Sequence, residues 1–172
     1  LRRKANRFAN AITRLGIARG ERLFVLAPRL PELYVAILGA LKAGVVVSPL
    51  FPAFGPEPIA TRMNLGRGCA LVTTPSLYAR KVAPVRAQIP TLAHVLLVDD
   101  GSGPVAGVPG AHDLGALLEA EGAGGEAFEC VPTRPDELAL LHFTSGTTGR
   151  PKGAMHVQEA VVTHFATGLY AL

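Results

Sequence analysis

The chain has 172 residues, of which 49% are hydrophobic and 17% charged, enough for one core-bearing domain and far from the disordered class. Seventeen Lys and Arg stand against thirteen Asp and Glu, a net charge of +4, and the basic residues are scattered apart from Arg2, Arg3, Lys4 and Arg7. Those four read as a solvated helix face, not a nucleic-acid arm, which needs a clustered basic surface. The apolar runs are too short for a membrane span, and the Arg-rich start has no following apolar stretch of a secretory signal. The two cysteines, Cys69 and Cys130, form neither a metal-ligand spacing nor a disulfide framework, which reads as a reducing, cytoplasmic setting.

In chain order, Phe8, Ala11, Ile12 and Leu15 recur at helical spacing, so Arg7–Leu15 is expected to be a helix ended by Gly16. The sequence begins as though inside that helix and without Met, which suggests a fragment. Arg22–Ala27 is an apolar run expected as a buried strand. Pro31 opens a helix to Ala43, with Glu32 in its first turn, Lys42 in its last and Gly44 as its stop. That helix is apolar almost all round and must be covered on more than one side. Val45–Ser48 follows as a strand.

Leu50–Pro58 reads as a Pro/Gly/Phe loop, whose Phe51 and Phe54 are either core anchors of the loop or contacts to a bound molecule. Ile59–Leu65 is expected to be helical, Cys69–Thr73 a strand, and Ser76–Gln88 a helix interrupted near Pro84. Val95–Val98 is a strand ending in the Asp99-Asp100-Gly101 turn, and Gly101–Gly110 a loop. A short helix is expected at Asp113–Glu121, a loop at Gly122–Gly125 and a strand at Leu138–Phe143. Ala154–Val157 reads as extended, and Glu159–Leu172 as helix. Short apolar strands alternating with helices predict an α/β fold with a mainly parallel, doubly covered sheet. In such sheets ligands sit beyond the carboxyl ends of the strands, where Thr144 would lie.

The segment with the most chemistry runs from Phe143 to Gly153. Thr144, Ser145, Thr147 and Thr148 supply hydroxyls, while Gly146, Gly149 and Gly153 allow close backbone approach. Successive N–H groups in such a loop make a concave anion site, Pro151 stiffens the chain, and Lys152 adds a point charge suited to phosphate. The Lys follows a Pro and precedes a Gly, so the pattern is not a Walker loop. A plain Gly/Thr/Ser linker would need neither the Pro-Lys pair nor so apolar a strand before it. The remaining histidines, His94, His112, His142 and His164, have no partner spacing and read as structural. His156 reads either as structural beside the loop or as a substrate or phosphate contact.

Thr144–Gly153, TSGTTGRPKG, resembles the phosphate-loop signature of the adenylate-forming (AMP-binding) superfamily, which includes acyl-CoA synthetases, luciferases and the adenylation domains of peptide synthetases. Leu41-Lys42-Ala43-Gly44 resembles a second family motif. Pro28–Tyr34, Pro49–Gly55 and Lys152–Ala160 look most like acetate-CoA ligases and related short-chain acyl-CoA synthetases. The resemblance implies a two-step reaction. A carboxylate attacks the α-phosphate of Mg-ATP to give an acyl-adenylate and pyrophosphate, and the thiol of coenzyme A then takes the acyl group. It also implies that Thr144, Ser145, Gly146, Thr147, Thr148, Gly149 and Lys152 hold ATP, with the loop set between two strands of a hairpin. Residues 1–172 would be part of an N-terminal AMP-binding domain. The ribose, Mg²⁺ and catalytic-Lys motifs, and the acyl pocket, are expected downstream, so this chain alone should have little turnover. Gln158 departs from the family, where His is common. An adenylation domain of the peptide-synthetase kind and a non-catalytic truncated module are the alternatives.

Overall fold

The computed structural model describes residues 1–103, 108–145 and 151–171. Helix α1 (Arg2–Arg14) leads to strand β1 (Arg22–Leu26), helix α2 (Pro31–Lys42) and strand β2 (Val46–Pro49). Helix α3 (Pro56–Leu65), strand β3 (Ala70–Thr73) and a helical stretch follow; that stretch comprises α4 (Pro75–Leu77), a π turn (Tyr78–Val82) and a 3-10 segment (Ala83–Gln88). Strands β4 (His94–Leu97) and β5 (Ala111–Asp113), helix α5 (Leu114–Ala120), strands β6 (Leu138–Ser145) and β7 (Pro151–Val157), and helix α6 (Gln158–Ala171) complete the order.

The strands form one seven-stranded sheet in the order β5-β4-β3-β1-β2-β6-β7. Every pairing is parallel except β6 with β7, which is antiparallel. Four-to-five-residue strands buried at nearly every position are what a parallel sheet covered on both faces requires, since no face is left for polar alternation. One face carries α1, α2 and α5, with Phe8, Ile12, Val35, Ala36 and Leu118 packed on Leu23, Val25 and Val47. The opposite face carries α3 and the Pro75–Gln88 stretch, with Ile59, Met63, Val82 and Ile89 packed on Phe24, Leu71 and Val95. The expected α/β architecture is therefore the observed one. Ser48, fully buried at the end of β2, donates to the carbonyl of Leu141 on β6 at 2.8 Å and ties the parallel part of the sheet to the hairpin.

Several elements differ from their sequence expectation. Helix α1 begins at Arg2, five residues earlier than expected, because Ala5 and Asn6 join Phe8 and Ile12 on its buried side. Arg2, Arg3 and Lys4 are exposed as anticipated, whereas Arg7 is half-buried and pairs with Glu126 at 2.8 Å. Helix α3 starts inside the expected Leu50–Pro58 loop, with Pro56 at its first position where a missing N–H costs nothing. Strand β5 was not expected: its three residues carry no apolar pattern and gain their place only by pairing with β4. The β7 strand reaches back to Pro151 because each residue from there finds a partner on β6. Helix α2 lies on the sheet and against α1, yet Tyr34 and Leu38 remain exposed on its third side.

Candidate functional site

Strand order and helix placement decide where a site can form. After β1 the chain leaves for α2 on one face, and after the adjacent β2 it leaves for α3 on the other. Connections that part in this way open a crevice beyond the carboxyl ends of the two strands, where ligands of open α/β sheets sit. A cleft of about 280 Å³ lies there, lined by Val25 and Ala27 at the end of β1, Pro49, Leu50 and Phe51 at the end of β2, and His142 of β6.

The β6–β7 hairpin forms the wall of this region. Side chains alternate along β6, so Ala139, Leu141 and Phe143 point into the core and are buried. Phe143 stacks on Phe24 of β1 with ring centroids 6.2 Å apart, which seats the root of the hairpin on the sheet centre. Leu140, His142 and Thr144 take the other face; His142 and Thr144 are exposed. Register pairs Thr144 with Lys152 and His142 with Ala154, which puts the Thr144 hydroxyl, the Lys152 side chain and the His142 ring on one face of the ribbon. The Thr144 hydroxyl donates to the carbonyl of Lys152 at 3.5 Å. Lys152 is exposed. Gly153 pairs with Phe143 on the core side, where a Cβ would meet Leu141 Cδ1 at 3.0 Å, so its small size serves packing beneath Lys152.

Of the expected phosphate-contacting residues, Thr144 and Lys152 are thus brought together. Ser145 pairs with Pro151 in the backbone of the hairpin. Gly146, Thr147, Thr148 and Gly149 lie outside the described residues. A hydroxyl and an ammonium side by side, on the ribbon face whose His142 lines the crevice, form a donor-rich surface for an anion. Among the described residues no group of three or more His, Cys, Asp and Glu side chains could hold a metal ion.

His142 was expected to be structural and instead faces the cleft. The signal that could have found it is its spacing, two residues before Thr144 in a strand, which guarantees a shared face. Phe51 was read as a core anchor or a ligand contact; it is 65% exposed and borders the cleft, so it anchors no core. Phe54 is half-buried, meets Phe51 edge to face at 5.8 Å, and carries the Arg62 guanidinium 4.1 Å above its ring. His156 is half-buried opposite Leu140, and His164 is exposed on α6. Gln158 opens α6, its N–H donating to the carbonyl of Glu137 at 2.8 Å. His94 and His112 do have partners, each other: Nδ1 of one lies 3.4 Å from Nε2 of the other, away from the crevice on adjacent strands β4 and β5. Burial, with the His94 charge second, lowers the His112 pKa.

A second hollow, of about 460 Å³, lies beyond the ends of β3, β4 and β5 and is bordered by Asp99, His112 and Asp113. Asp113 there caps α5, accepting from the Ala116 N–H at 2.7 Å. Nearby, Asp100 accepts from the hydroxyls of Ser102 and Ser76, which hold its carboxyl well below the usual range. Both carboxylates are occupied by the turns around them, and the hollow shares no lining residue with the crevice beyond β1 and β2.

Comparison with known proteins identifies the family and the fold. The family model described as AMP-binding enzyme matches residues 1–171. The acetyl-coenzyme A synthetase of Bacillus subtilis (strain 168) is 35% identical over 173 residues, a span of 100% of this chain and 29% of that protein. The crystal structure of the Brucella canis acyl-CoA synthetase superposes with a TM-score of 0.81 at 28% identity, covering 97% of this chain and 29% of that one. The anthranilate CoA ligase AuaEII, solved with anthranoyl-AMP, shares the fold with a TM-score of 0.81 at 22% identity, over 91% of this chain and 28% of its own. The chain thus spans under a third of the length of these relatives. It belongs to the AMP-binding enzyme family.

Proposed function

We propose that this member of the AMP-binding enzyme family is the N-terminal part of an ATP-dependent carboxylic acid–CoA ligase, and that it supplies the grip on the pyrophosphate side of ATP. Residues 1–172 would then form part of the nucleotide-binding domain of the longer enzyme. The observation that carries this reading is the pairing of exposed Thr144 and Lys152 at the mouth of the β6–β7 hairpin, beside the crevice at the ends of β1 and β2. Anthranoyl-AMP in the AuaEII structure is an acyl-adenylate, and the Bacillus relative is an acetyl-coenzyme A synthetase. Both names fit a reaction in which a carboxylate displaces pyrophosphate from ATP and coenzyme A then takes the acyl group. A short-chain acid such as acetate is the proposed substrate.

In that reaction negative charge accumulates on the departing pyrophosphate. Lys152 offsets it, the Thr144 hydroxyl donates to a phosphate oxygen, and Ser145, Gly146, Thr147, Thr148 and Gly149 complete the cradle with hydroxyl and N–H donors. Fixed donors of this kind favour the reaction by being in place before the charge develops. Mg²⁺ would accompany the nucleotide and neutralise phosphate charge; among the described residues no group of three or more His, Cys, Asp and Glu could hold it. Two free cysteines fit a reducing, cytoplasmic setting.

The test is acetate-dependent pyrophosphate release by the full-length protein. Loss of one phosphate-facing charge on an exposed side chain removes about 1.4–2.8 kcal/mol, midway between the water and near-surface limits for charges a few ångströms apart. Lys152→Ala should therefore lower kcat/KM for ATP about 10- to 100-fold, and Lys152→Arg should recover part of it. A Lys152→Ala enzyme within twofold of wild type would overturn the assignment. The 172-residue chain alone should release no pyrophosphate.

A further inference from the structure

Two nucleophiles meet at a place far from the crevice. Lys42, in the last turn of α2, points its Nζ at the Sγ of Cys130, 3.5 Å away and 88 positions along the chain. The Val131 N–H donates to the Lys42 carbonyl at 2.9 Å, which staples the Cys130 segment to the end of α2 and holds amine and thiol in register. Cys130 is exposed and in no disulfide, and Lys42 is half-exposed. Both open onto an apolar hollow of about 610 Å³ walled by Ala5, Leu38, Leu41 and Val131, with the Arg2 side chain at its border.

We propose that Cys130 and Lys42 form an acyl relay: Cys130 accepts a short acyl group from an acyl-CoA thioester and passes it to the Lys42 amine, so that Lys42 is a self-acylation site. The hollow offers apolar wall for the acyl chain, and Arg2 a cation for the anionic carrier. In the first step the Cys130 thiolate attacks the thioester carbonyl; the new S–C bond forms as the bond to the coenzyme A sulfur breaks, and free coenzyme A leaves with the proton. In the second step Lys42 gives up its ammonium proton to solvent, and the amine attacks the carbonyl carbon now on Sγ. The N–C bond forms, the C–S bond breaks, and the amine proton returns to Cys130 as a thiol. No oxidant or further reactant is consumed. With Nζ 3.5 Å from Sγ, rotation about the Cys130 side chain can bring a carbonyl carbon carried on Sγ to the ~3–3.5 Å of a near-attack arrangement, and reactions held so behave as though one partner were at very high local concentration. Transfer to Lys42 should therefore outrun direct acylation of an isolated surface lysine such as Lys4. The relay converts the Lys42 ammonium to a neutral amide at the end of α2, removing a cation from the helix C-terminus.

The inference draws on the proposed ligase activity only in that such an enzyme would generate the thioester itself, and its test avoids that dependence. The full-length protein is incubated with acetyl-coenzyme A, without ATP or acetate, and acetylation of Lys42 and Lys4 is followed by peptide mass spectrometry. Lys42 is expected to gain acetyl at least about tenfold faster than Lys4, and Cys130→Ser should reduce its rate to that of Lys4. Lys42→Arg should instead trap the acetyl on Cys130 as a hydroxylamine-labile thioester. Cys130 is exposed and Lys42 half-exposed, and circular dichroism checks that both variants fold. The proposal is overturned if Lys42 acetylates no faster than Lys4, if Cys130→Ser leaves its rate unchanged, or if the wild type accumulates thioester on Cys130 without amide on Lys42. Because ATP is absent, any of these results leaves the phosphate-grip reading untouched, and loss of that reading leaves the relay standing.

Discussion

Gly39 sits in the middle of α2, where glycine ordinarily weakens a helix, and replacing it tests how closely α1 and α2 are packed. By intrinsic propensity alone, Gly39→Ala should stabilise the helix by about 1 kcal/mol. The surroundings reverse that sign. A Cβ on Gly39 would lie 2.7 Å from the Ala5 carbonyl oxygen, 2.8 Å from Phe8 Cδ1 and 2.9 Å from Phe8 Cβ. The nearest atom is backbone and falls about 0.7 Å short of the 3.4 Å at which ordinary contact begins. Rotating the Phe8 ring relieves Cδ1 but neither Cβ nor the carbonyl, so the two helices must move apart. An opening of that size costs well-packed neighbours a quarter to a half of their dispersion energy, and Ala9, Ile12, Val35, Ala36 and Ala40 are all buried nearby. Overpacking of this kind typically costs 1–3 kcal/mol or somewhat more when backbone must shift. Because the clash is with backbone, the cost falls in the upper part of that range, about 2–3 kcal/mol, and with the propensity gain subtracted the expected net loss is about 1–2 kcal/mol. For a domain of this size that is a fall of about 2–8 °C in the midpoint of thermal unfolding, read by circular dichroism on wild type and variant side by side. An unchanged or raised midpoint would refute the packing argument, since it would mean that the helices are free to part.

Two further outcomes follow from the titrating groups. Burial, with the Glu21 charge second, pushes the Cys69 thiol up to about 11. At pH 8 its thiolate fraction is then roughly 0.1%, so alkylation by iodoacetamide should label the exposed Cys130 much faster than the half-buried Cys69; equal labelling would show that Cys69 is not shielded by its surroundings. His112 has its pKa lowered, so the native state resists the proton that the unfolded chain accepts. Its contribution to stability is complete above about pH 6.5 and is lost as pH falls below that value. His112→Gln should therefore flatten the decline in thermal midpoint between pH 7.5 and 5.5, and an identical slope in variant and wild type would assign that decline to other groups.

Much of the architecture was legible because it is written locally. The apolar runs of β1 and β3 state burial on both faces, Pro31 and Gly44 bracket α2, and the eleven residues from Phe143 to Gly153 carry their chemistry in contiguous order. Strand β5 was illegible because its residues have no pattern of their own and take extended form only through β4. The early start of α3 was hidden by a Pro that ends most patterns but is at home in a first helical turn.

Sequence by itself supplied the expectation of a phosphate ligand, since a run of hydroxyls, glycines, a Pro and a Lys needs no distant partner to suggest one. Only the tertiary structure decided what stands around it. Pairing across the hairpin puts His142 on the face of Thr144 and Lys152, and the departure of α2 and α3 to opposite sides opens the crevice beside them. The same folding sets Lys42 against Cys130 and His94 against His112. The physical reason is range: residue pattern encodes dihedral preference and which side is apolar, both local properties. Which strands become neighbours is settled by the burial of many such sides at once, and no single segment carries that information.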